Sequence, residues 1–156
     1  MPPPELRPAS GHWLFGCDLC QEVCPWNRLA DRQPVDVEAS REFLPIDGET
    51  ALGLAPLFSL DDEAFRLRFR NTPLWRAKRR GLLRNAALVL AGLPSAEAIG
   101  ALSQGLSDRE SLVRVASAWA LGRIGSCDAR THLWQRLAAE DDLRVREAIC
   151  EAIGVG

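Results

Sequence analysis

The fold of this chain is decided by residues 113–122, which read Val-Arg-Val-Ala-Ser-Ala-Trp-Ala-Leu-Gly. A closely similar pattern recurs at residues 83–92 and 145–154, at spacings of 30 and 32 residues. In each copy, small or aliphatic residues at i, i+3 and i+7 form a narrow apolar stripe along one helix face. Self-similarity at this period is typical of helical-repeat proteins, in which each repeat is an antiparallel helix pair. The sequence therefore predicts a mainly α fold built from HEAT-like helical repeats.

A first helix is predicted before each of the two later copies, because each copy follows two leucines spaced one helical turn apart. The glycine that closes each copy is predicted to end the second helix by adopting a positive φ. Trp119 and Trp134 fall at helical spacing and are predicted to lie in the core. Cys127 and Cys150 lie in repeat sequence, so we interpret both as structural. The leucine pairs are Leu102 with Leu106 and Leu133 with Leu137.

Upstream of the repeats the composition changes, and the change predicts two domains. Residues 1–50 are rich in proline and lack a sustained helical period, whereas residues 51–156 are helical in pattern. A helix is predicted to begin near Ser59, which with Asp62 resembles a capping box. Phe65 and Phe69 would share one face of that helix, and Pro73 would end it.

Three of the five cysteines lie within eight residues, as Cys17-x2-Cys20-x3-Cys24-Pro25. The Cys-Pro ending is typical of bacterial ferredoxins, in which the last cysteine binds a second cluster. We therefore predict that Cys17 and Cys20 serve one iron-sulfur cluster and Cys24 another. Because a [4Fe-4S] cluster takes four thiolates, the ligand set is incomplete. A zinc knuckle is the alternative, and the odd cysteine count argues against a disulfide scaffold.

The overall composition points to a soluble protein. The 156 residues are 47% hydrophobic and 26% charged, and no run of eighteen apolar residues could span a membrane. No secretory signal begins the chain, so we expect a cytoplasmic location. No nucleotide-binding motif appears, and neither His12 nor His132 has the partners of a catalytic triad. We expect a monomer with no membrane partner.

Eight cations between residues 66 and 84 form a basic island that no Asp or Glu interrupts. The other residues carry 11 basic and 21 acidic side chains, a balance of −10. Such an asymmetry predicts an anion-binding surface, although a solvated helix face is the simpler alternative. Arg84 also occupies the Arg position of the repeat, where a structural role is possible. The members of the basic island are Arg66, Arg68, Arg70, Arg76, Lys78, Arg79, Arg80 and Arg84.

Several stretches together resemble the C-terminal part of the epoxyqueuosine reductase family. They are Leu-Arg-Pro at 6–8, Gly-Cys-Asp-x-Cys-Gln-x-Val-Cys-Pro-Trp-Asn at 16–27, the phenylalanine pair within 65–69, and Arg-Asn-Ala at 84–86 followed by HEAT-like repeats. The family is cobalamin-dependent, carries two [4Fe-4S] clusters, and reduces epoxyqueuosine to queuosine in the anticodon loop of tRNA. The resemblance implies the same fold and pathway for this chain.

The resemblance also implies roles for individual residues. Cys17 and Cys20 would bind the cluster near the cobalamin, Cys24 would bind the other cluster, and Asp18 would lie close to the corrin. The basic residues expected to contact tRNA phosphates are Arg76, Lys78, Arg79, Arg80 and Arg84.

Family members precede this region with a cobalamin-binding catalytic domain, a four-cysteine motif and one further cysteine, and the 156 residues contain none of these. We therefore expect a fragment, an internal start or one part of a split enzyme, inactive without that domain or a separate chain that carries it. The alternative is a stand-alone HEAT-like protein-interaction module with a zinc or incomplete iron-sulfur knuckle.

Overall fold

The structure is a computed structural model that describes residues 1–8, 13–27 and 52–154. Within this part of the chain no strand occurs, and short 3-10 turns cover Pro4–Leu6, Ala55–Ser59 and Pro73–Ala77. The predicted mainly helical fold is confirmed. Its helices are α1 (Leu19–Glu22), α2 (Asp62–Phe69), α3 (Lys78–Leu90), α4 (Ala96–Gly105), α5 (Ser111–Ile124), α6 (Cys127–Ala139) and α7 (Leu143–Ile153).

The described residues form two compact units. One contains residues 1–8, 13–15 and 54–154, and the other contains residues 16–27 with 52 and 53. The N-terminal residues belong to the repeat unit through specific contacts, although the sequence had grouped them with the cysteines. The Asn85 amide donates to the Leu14 carbonyl at 2.8 Å, and the guanidinium carbon of Arg7 lies 5.9 Å from the centroid of the Trp119 ring. The predicted boundary near residue 50 and the position of His12 lie outside the described residues.

The repeat unit stacks its helices in two layers. The second helices of the three copies, α3, α5 and α7, pack in succession, while α4 packs between the Ala55–Ser59 turn and α6. The apolar stripes face inward: Val113, Ala116 and Ala120 of α5 are completely buried. The predicted helix pairs α4–α5 and α6–α7 are therefore confirmed, and α5 is buried between two neighbours because it belongs to the middle copy.

The role predicted for the repeat glycines is correct at Gly154 and wrong at Gly122 and at Gly92, which follows the end of α3 without a positive φ. Gly154 caps the C-terminus of α7 with a φ of 74°, but α5 continues past Gly122 to Ile124 and is capped by Gly125, whose φ is 65°. At Gly122 a Cβ would lie only 2.7 Å from the Cβ of Ala152. Gly122 therefore serves the close approach of α5 to α7, a constraint of packing rather than of backbone conformation.

The start of α2 differs slightly from the prediction. Asp61 is its N-cap, with the Asp61 carboxylate accepting a hydrogen bond from the Ala64 N–H at 2.8 Å. Ser59 belongs to the preceding 3-10 turn, so the predicted capping box is wrong by two residues. Phe65 and Phe69 do share a face, with ring centroids 4.9 Å apart.

The predicted burial of the two repeat tryptophans is only partly correct. Trp119 is half-buried, whereas Trp134 is 53% exposed on α6. The buried residues of α6 are Ala129 and Leu133. Trp134 lies away from that face because its helical angle differs by about 100° from that of Leu133.

Two acidic residues at equivalent positions tie successive repeats together. The Asp108 carboxylate accepts hydrogen bonds from the Arg79 guanidinium and the Glu110 N–H. The Glu140 carboxylate, 32 residues later, accepts from the Arg114 guanidinium and the Asp142 N–H. In each case an arginine of one repeat reaches the loop of the next, while the acid also caps the turn that begins the following helix.

Among the described helices, none combines the length and apolar character that a bilayer span requires.

Candidate nucleic-acid interface and cysteine segment

A cleft of about 380 Å³, here called the basic groove, opens beside the start of α3. Helix α2, the turn Pro73–Ala77, the first residues of α3 and the loop before α5 form its walls. Arginine and lysine side chains predominate among its charged groups, and two aromatic rings contribute apolar surface. The lining residues are Asp62, Phe65, Arg66, Trp75, Lys78, Arg79, Arg80, Arg109 and Glu110.

Lys78 is held in the basic groove by an unusual local structure. Its ammonium nitrogen lies 4.6 Å from the centroid of the Trp75 ring, a cation–π contact, and the Trp75 ring in turn stacks on Phe65 with centroids 6.0 Å apart. The φ of Lys78 is 57°, in the left-handed region that non-glycine residues rarely adopt. Backbone strain of this kind is common at binding sites, where the surrounding structure maintains it.

The first turn of α3 concentrates positive charge. Lys78, Arg79 and Arg80 begin the helix, no acidic residue lies in that turn, and the N-cap Ala77 offers no side-chain acceptor. A helix N-terminus already carries partial positive charge from its unpaired N–H groups. Cations at this end therefore oppose the helix dipole, and their combined field favours an anion in the basic groove.

The predicted phosphate-binding residues differ in their surroundings. Lys78 and Arg80 are exposed and line the basic groove, and Arg76 is exposed next to it. The Arg79 guanidinium instead donates to both carboxylate oxygens of Asp108, at 2.5 and 3.3 Å, and to the Leu60 carbonyl at 2.6 Å. The Arg79 side chain is only 13% exposed. Arg79 therefore has a structural role.

Arg84 also has a partner within the chain. Its guanidinium donates to the Asn85 side-chain oxygen at 2.8 and 3.0 Å, and Asn85 holds the N-terminal residues through Leu14. Arg114, at the same repeat position, donates to the carbonyls of residues 108 and 109. Arg146 likewise donates to the carbonyls of residues 137 and 140. The arginine of the repeat pattern thus has structural contacts in all three copies.

Sequence reasoning did not find Arg109, which lines the basic groove from the loop before α5. Its guanidinium forms an ion pair with the Asp62 carboxylate, and the two side chains are 60% and 54% exposed. Arg109 lies 25 residues beyond the basic island, so only the stacking of the next repeat brings it to the groove. The repeat spacing was the available signal, because it places each interhelical loop beside the preceding repeat.

The cysteine segment, residues 16–27, contains little beyond local structure. Helix α1 buries no residue, Cys17 and Cys20 are exposed, and Cys24 is half-buried. The exposed Asp18 accepts a hydrogen bond from the Gln21 side-chain amide at 3.2 Å. The Asn27 amide donates to the Gln21 carbonyl at 3.0 Å.

The thiols of the cysteine segment fit iron-sulfur chemistry in kind but not in number. All three are free of disulfides, and cysteine side chains bind such clusters as thiolates after losing the thiol proton. Within residues 1–8, 13–27 and 52–154, however, no group of three or more His, Cys, Asp or Glu side chains is arranged to hold a metal ion. The described residues thus provide cysteine side chains of the right kind without a complete metal-binding group.

Comparisons with known proteins agree with this architecture. The HEAT-repeat family profile matches residues 76–154. Epoxyqueuosine reductase of Pseudomonas aeruginosa is 40% identical over 124 residues, which cover 79% of this chain and 33% of the relative. An uncharacterised protein from the gldA 3′ region of Geobacillus stearothermophilus is 31% identical over 153 residues, 97% of this chain and 68% of that protein. A crystal structure of epoxyqueuosine reductase with an epoxyqueuosine-modified tRNA-Tyr stem loop superposes with a TM-score of 0.82 and 28% identity, covering 98% of this chain and 40% of that one.

The chain therefore belongs to the HEAT-repeat family. More particularly, it matches the C-terminal part of epoxyqueuosine reductases, in sequence and in structure, as the resemblance implied. It spans about a third of the length of the curated reductases that it matches.

Proposed function

We propose that this chain is part of an epoxyqueuosine reductase, an oxidoreductase of queuosine biosynthesis that reduces epoxyqueuosine to queuosine in tRNA. In this role its repeat unit contacts the anticodon region of the tRNA, and its cysteine segment contributes ligands to iron-sulfur clusters. The chain would work in the cytoplasm as a monomer. It would turn over only together with the remaining two thirds of the reductase, whether that part belongs to the same chain or to a separate one.

The basic groove is the observation that carries the tRNA-contacting part of this proposal, while the similarity to epoxyqueuosine reductases supports the rest. It gathers Arg66, Lys78 and Arg80 on one surface of a chain whose net charge is −2. RNA is bound largely through its phosphates, and phosphate contacts provide affinity without reading sequence. A helical-repeat surface of this kind suits an RNA stem, whose deep major groove hides the base edges from side chains.

The cysteine segment would hold the clusters in the way that the sequence predicted. Cys17 and Cys20 would give two thiolates to one [4Fe-4S] cluster, and Cys24 would give one to the other. The clusters supply electron transfer when bound, while cobalamin, which the family binds mainly outside this region, supplies the metal-centred reduction. Asp18 would lie near the corrin, and its carboxylate accepts a hydrogen bond from the Gln21 side-chain amide.

The test removes the exposed cations around the basic groove. We expect the triple variant Arg76→Ala, Lys78→Ala, Arg80→Ala to bind a tRNA anticodon stem loop more weakly, because each lost phosphate contact reduces the slope of log K against log salt by about 0.7 to 0.9. Arg79 is left in place because it supports Asp108. The measurement is stem-loop affinity from 50 to 300 mM salt.

A matched control removes three arginines elsewhere on the repeats. Arg123, Arg130 and Arg144 are exposed and do not line the basic groove. Their triple alanine variant has the same net charge as the test variant. If both variants lose the same stem-loop affinity, the loss comes from the overall charge and not from the basic groove. If the folded test variant binds RNA as the unchanged chain does, the HEAT-like protein-interaction module becomes the better account.

A further inference from the structure

Arg109 and Asp62 are two oppositely charged residues in the lining of the basic groove. Arg109 lies in the loop before α5, whereas Asp62 begins α2, and the two side chains form an ion pair. Both line the basic groove together with Lys78 and Arg80. The ion pair thus links α2 to the loop before α5 within the lining of the basic groove.

The ion pair is weakly held. Its side chains are 60% and 54% exposed, so water screens their attraction and competes for their hydrogen bonds. The Arg79–Asp108 pair is different, because its side chains are only 13% and 6% exposed. A ligand can therefore replace Asp62 as the partner of Arg109 while the Arg79–Asp108 pair, which joins successive repeats, stays intact.

A phosphate is the ligand best suited to make that exchange. The guanidinium of arginine is planar and bonds carboxylate and phosphate oxygens through the same pair of N–H donors. A phosphate in the basic groove would also gain from Lys78, Arg80 and the N-terminus of α3, none of which is paired with Asp62 in the structure. Asp62, by contrast, would repel the phosphate.

We propose that Arg109 is an additional ligand for an RNA backbone phosphate in the basic groove, and that Asp62 competes with that phosphate for it. This inference rests on the proposed function, since it takes RNA to be the occupant. In the free protein Asp62 is the ion-pair partner of Arg109. On binding, the phosphate replaces the Asp62 carboxylate. Because breaking the ion pair costs free energy, the net affinity that Arg109 contributes is lower than it would be without Asp62.

The competition predicts a specific pattern in a double-mutant cycle. We expect Arg109→Ala to weaken binding of a tRNA anticodon stem loop about three- to tenfold, as for the loss of one hydrogen-bonded contact. The salt slope should fall by about 0.7 to 0.9. Asp62→Asn should strengthen binding, because it removes both the competitor and a repulsive charge. The loss on Arg109→Ala should then be larger in the Asp62→Asn background than in the unchanged chain.

The chain provides close controls for both substitutions. Glu63 is exposed in the same first turn of α2 and does not line the groove, so Glu63→Gln removes the same charge and the same interaction with the helix dipole. Arg130→Ala removes an exposed arginine from a distant helix. Melting temperatures of all variants should agree within a few degrees, because these side chains are at the surface.

The outcomes separate this inference from the proposed function. If Arg109→Ala behaves like Arg130→Ala while the triple variant of the basic groove loses affinity, Arg109 is not a ligand and only this inference is overturned. If the two substitutions of the cycle are strictly additive, Asp62 acts as a distant charge and the competition is overturned. If neither the triple variant nor Arg109→Ala changes RNA affinity, both the proposed function and this inference are overturned.

Discussion

Glu140 is a buried carboxylate whose charge stabilises the contact between two repeats. The residue is 3% exposed, and burial alone raises the pKa of a carboxyl group. Hydrogen bonds from Arg114 and Arg136 and from the Asp142 N–H outweigh that effect and hold the pKa of Glu140 below its usual value near 4.5. The structure therefore requires Glu140 to be ionised.

Because the pKa of Glu140 is lower in the folded chain than in the unfolded chain, the stability of the repeat unit depends on pH. In the unfolded chain Glu140 takes up a proton near pH 4.5, but in the folded chain it does so only at lower pH. The stabilisation is therefore complete above pH 4.5 and is lost as the pH falls through the folded-state pKa. We expect Glu140→Gln to lower the free energy of unfolding by about 2 kcal/mol at pH 7, and by less at pH 3, since it removes an ionised partner of two arginines.

Denaturant unfolding between pH 7 and pH 3 measures this effect. Glu147→Gln is the control, because Glu147 is an exposed acid on α7. An unfolding free energy that falls with acid as steeply in Glu140→Gln as in the unchanged chain would contradict the role given to Glu140.

For individual residues, the sequence predicted where positive charge is concentrated, but it did not predict which acidic residues pair with those charges. The basic island was visible as a run of cations, and Lys78 and Arg80 do line the basic groove. The partner of Arg79 was not visible, because Asp108 lies 29 residues away and meets Arg79 only when the repeats stack. A run of like charges thus identifies a surface without telling which of its members face solvent.

Among the helices, the close contact between α5 and α7 depends on a glycine within a helix. A Cβ at Gly122 would lie 2.7 Å from the Cβ and 2.9 Å from the Cα of Ala152, and backbone cannot move aside as a flexible side chain can. We expect Gly122→Ala to lower the free energy of unfolding by about 1 to 3 kcal/mol, the usual cost of overpacking. Chemical denaturation is the measurement.

Gly100 provides the matched control for this substitution. It lies within α4, and a Cβ there would meet no atom within 4 Å. Since alanine is the better helix former, Gly100→Ala should leave stability unchanged or raise it by up to about 1 kcal/mol. Equal effects at the two positions would mean that α5 and α7 are not packed as closely as the structure has them.

The helical period predicted the repeat architecture but not every contact within it. Three copies of one pattern were enough to predict stacked helix pairs, because each pair has an apolar face that only a neighbour can cover. The same period could not tell that Trp134 is exposed, since helical spacing gives the angle of a side chain and not what lies opposite. It also could not distinguish a glycine that ends a helix, such as Gly154, from one that admits a neighbour, such as Gly122.

For the molecule as a whole, the two units differ in what holds them together. The repeat unit has a core that includes Leu102, Leu121 and Leu133, all completely buried. Helix α1 of the cysteine segment buries no residue. Segments this small usually depend on a metal or on a partner for their structure. The cysteine motif could therefore be identified from the sequence as a candidate metal-ligand set, whereas no apolar core of its own fixes the geometry of α1.

The number of thiols limits how much iron this chain can hold. Cys17, Cys20 and Cys24 are divided between two predicted clusters, and each [4Fe-4S] cluster needs four thiolates. The other cysteines, Cys127 and Cys150, belong to α6 and α7 of the repeat unit. We expect anaerobic reconstitution of the 156-residue chain to leave iron well below eight atoms per chain, with weak visible absorption, because neither ligand set is complete.

Iron and zinc counts with visible spectroscopy test this expectation, and the variant in which Cys17, Cys20 and Cys24 are all serine measures adventitious metal. Two full clusters on the chain alone would contradict the incomplete ligand set. One equivalent of tightly bound zinc that the triple serine variant loses would favour the zinc knuckle instead. Iron that remains low here and rises when the rest of a reductase is supplied, as one longer chain or as a separate one, would support the division of ligands, since thiolates from both parts would then meet at each cluster.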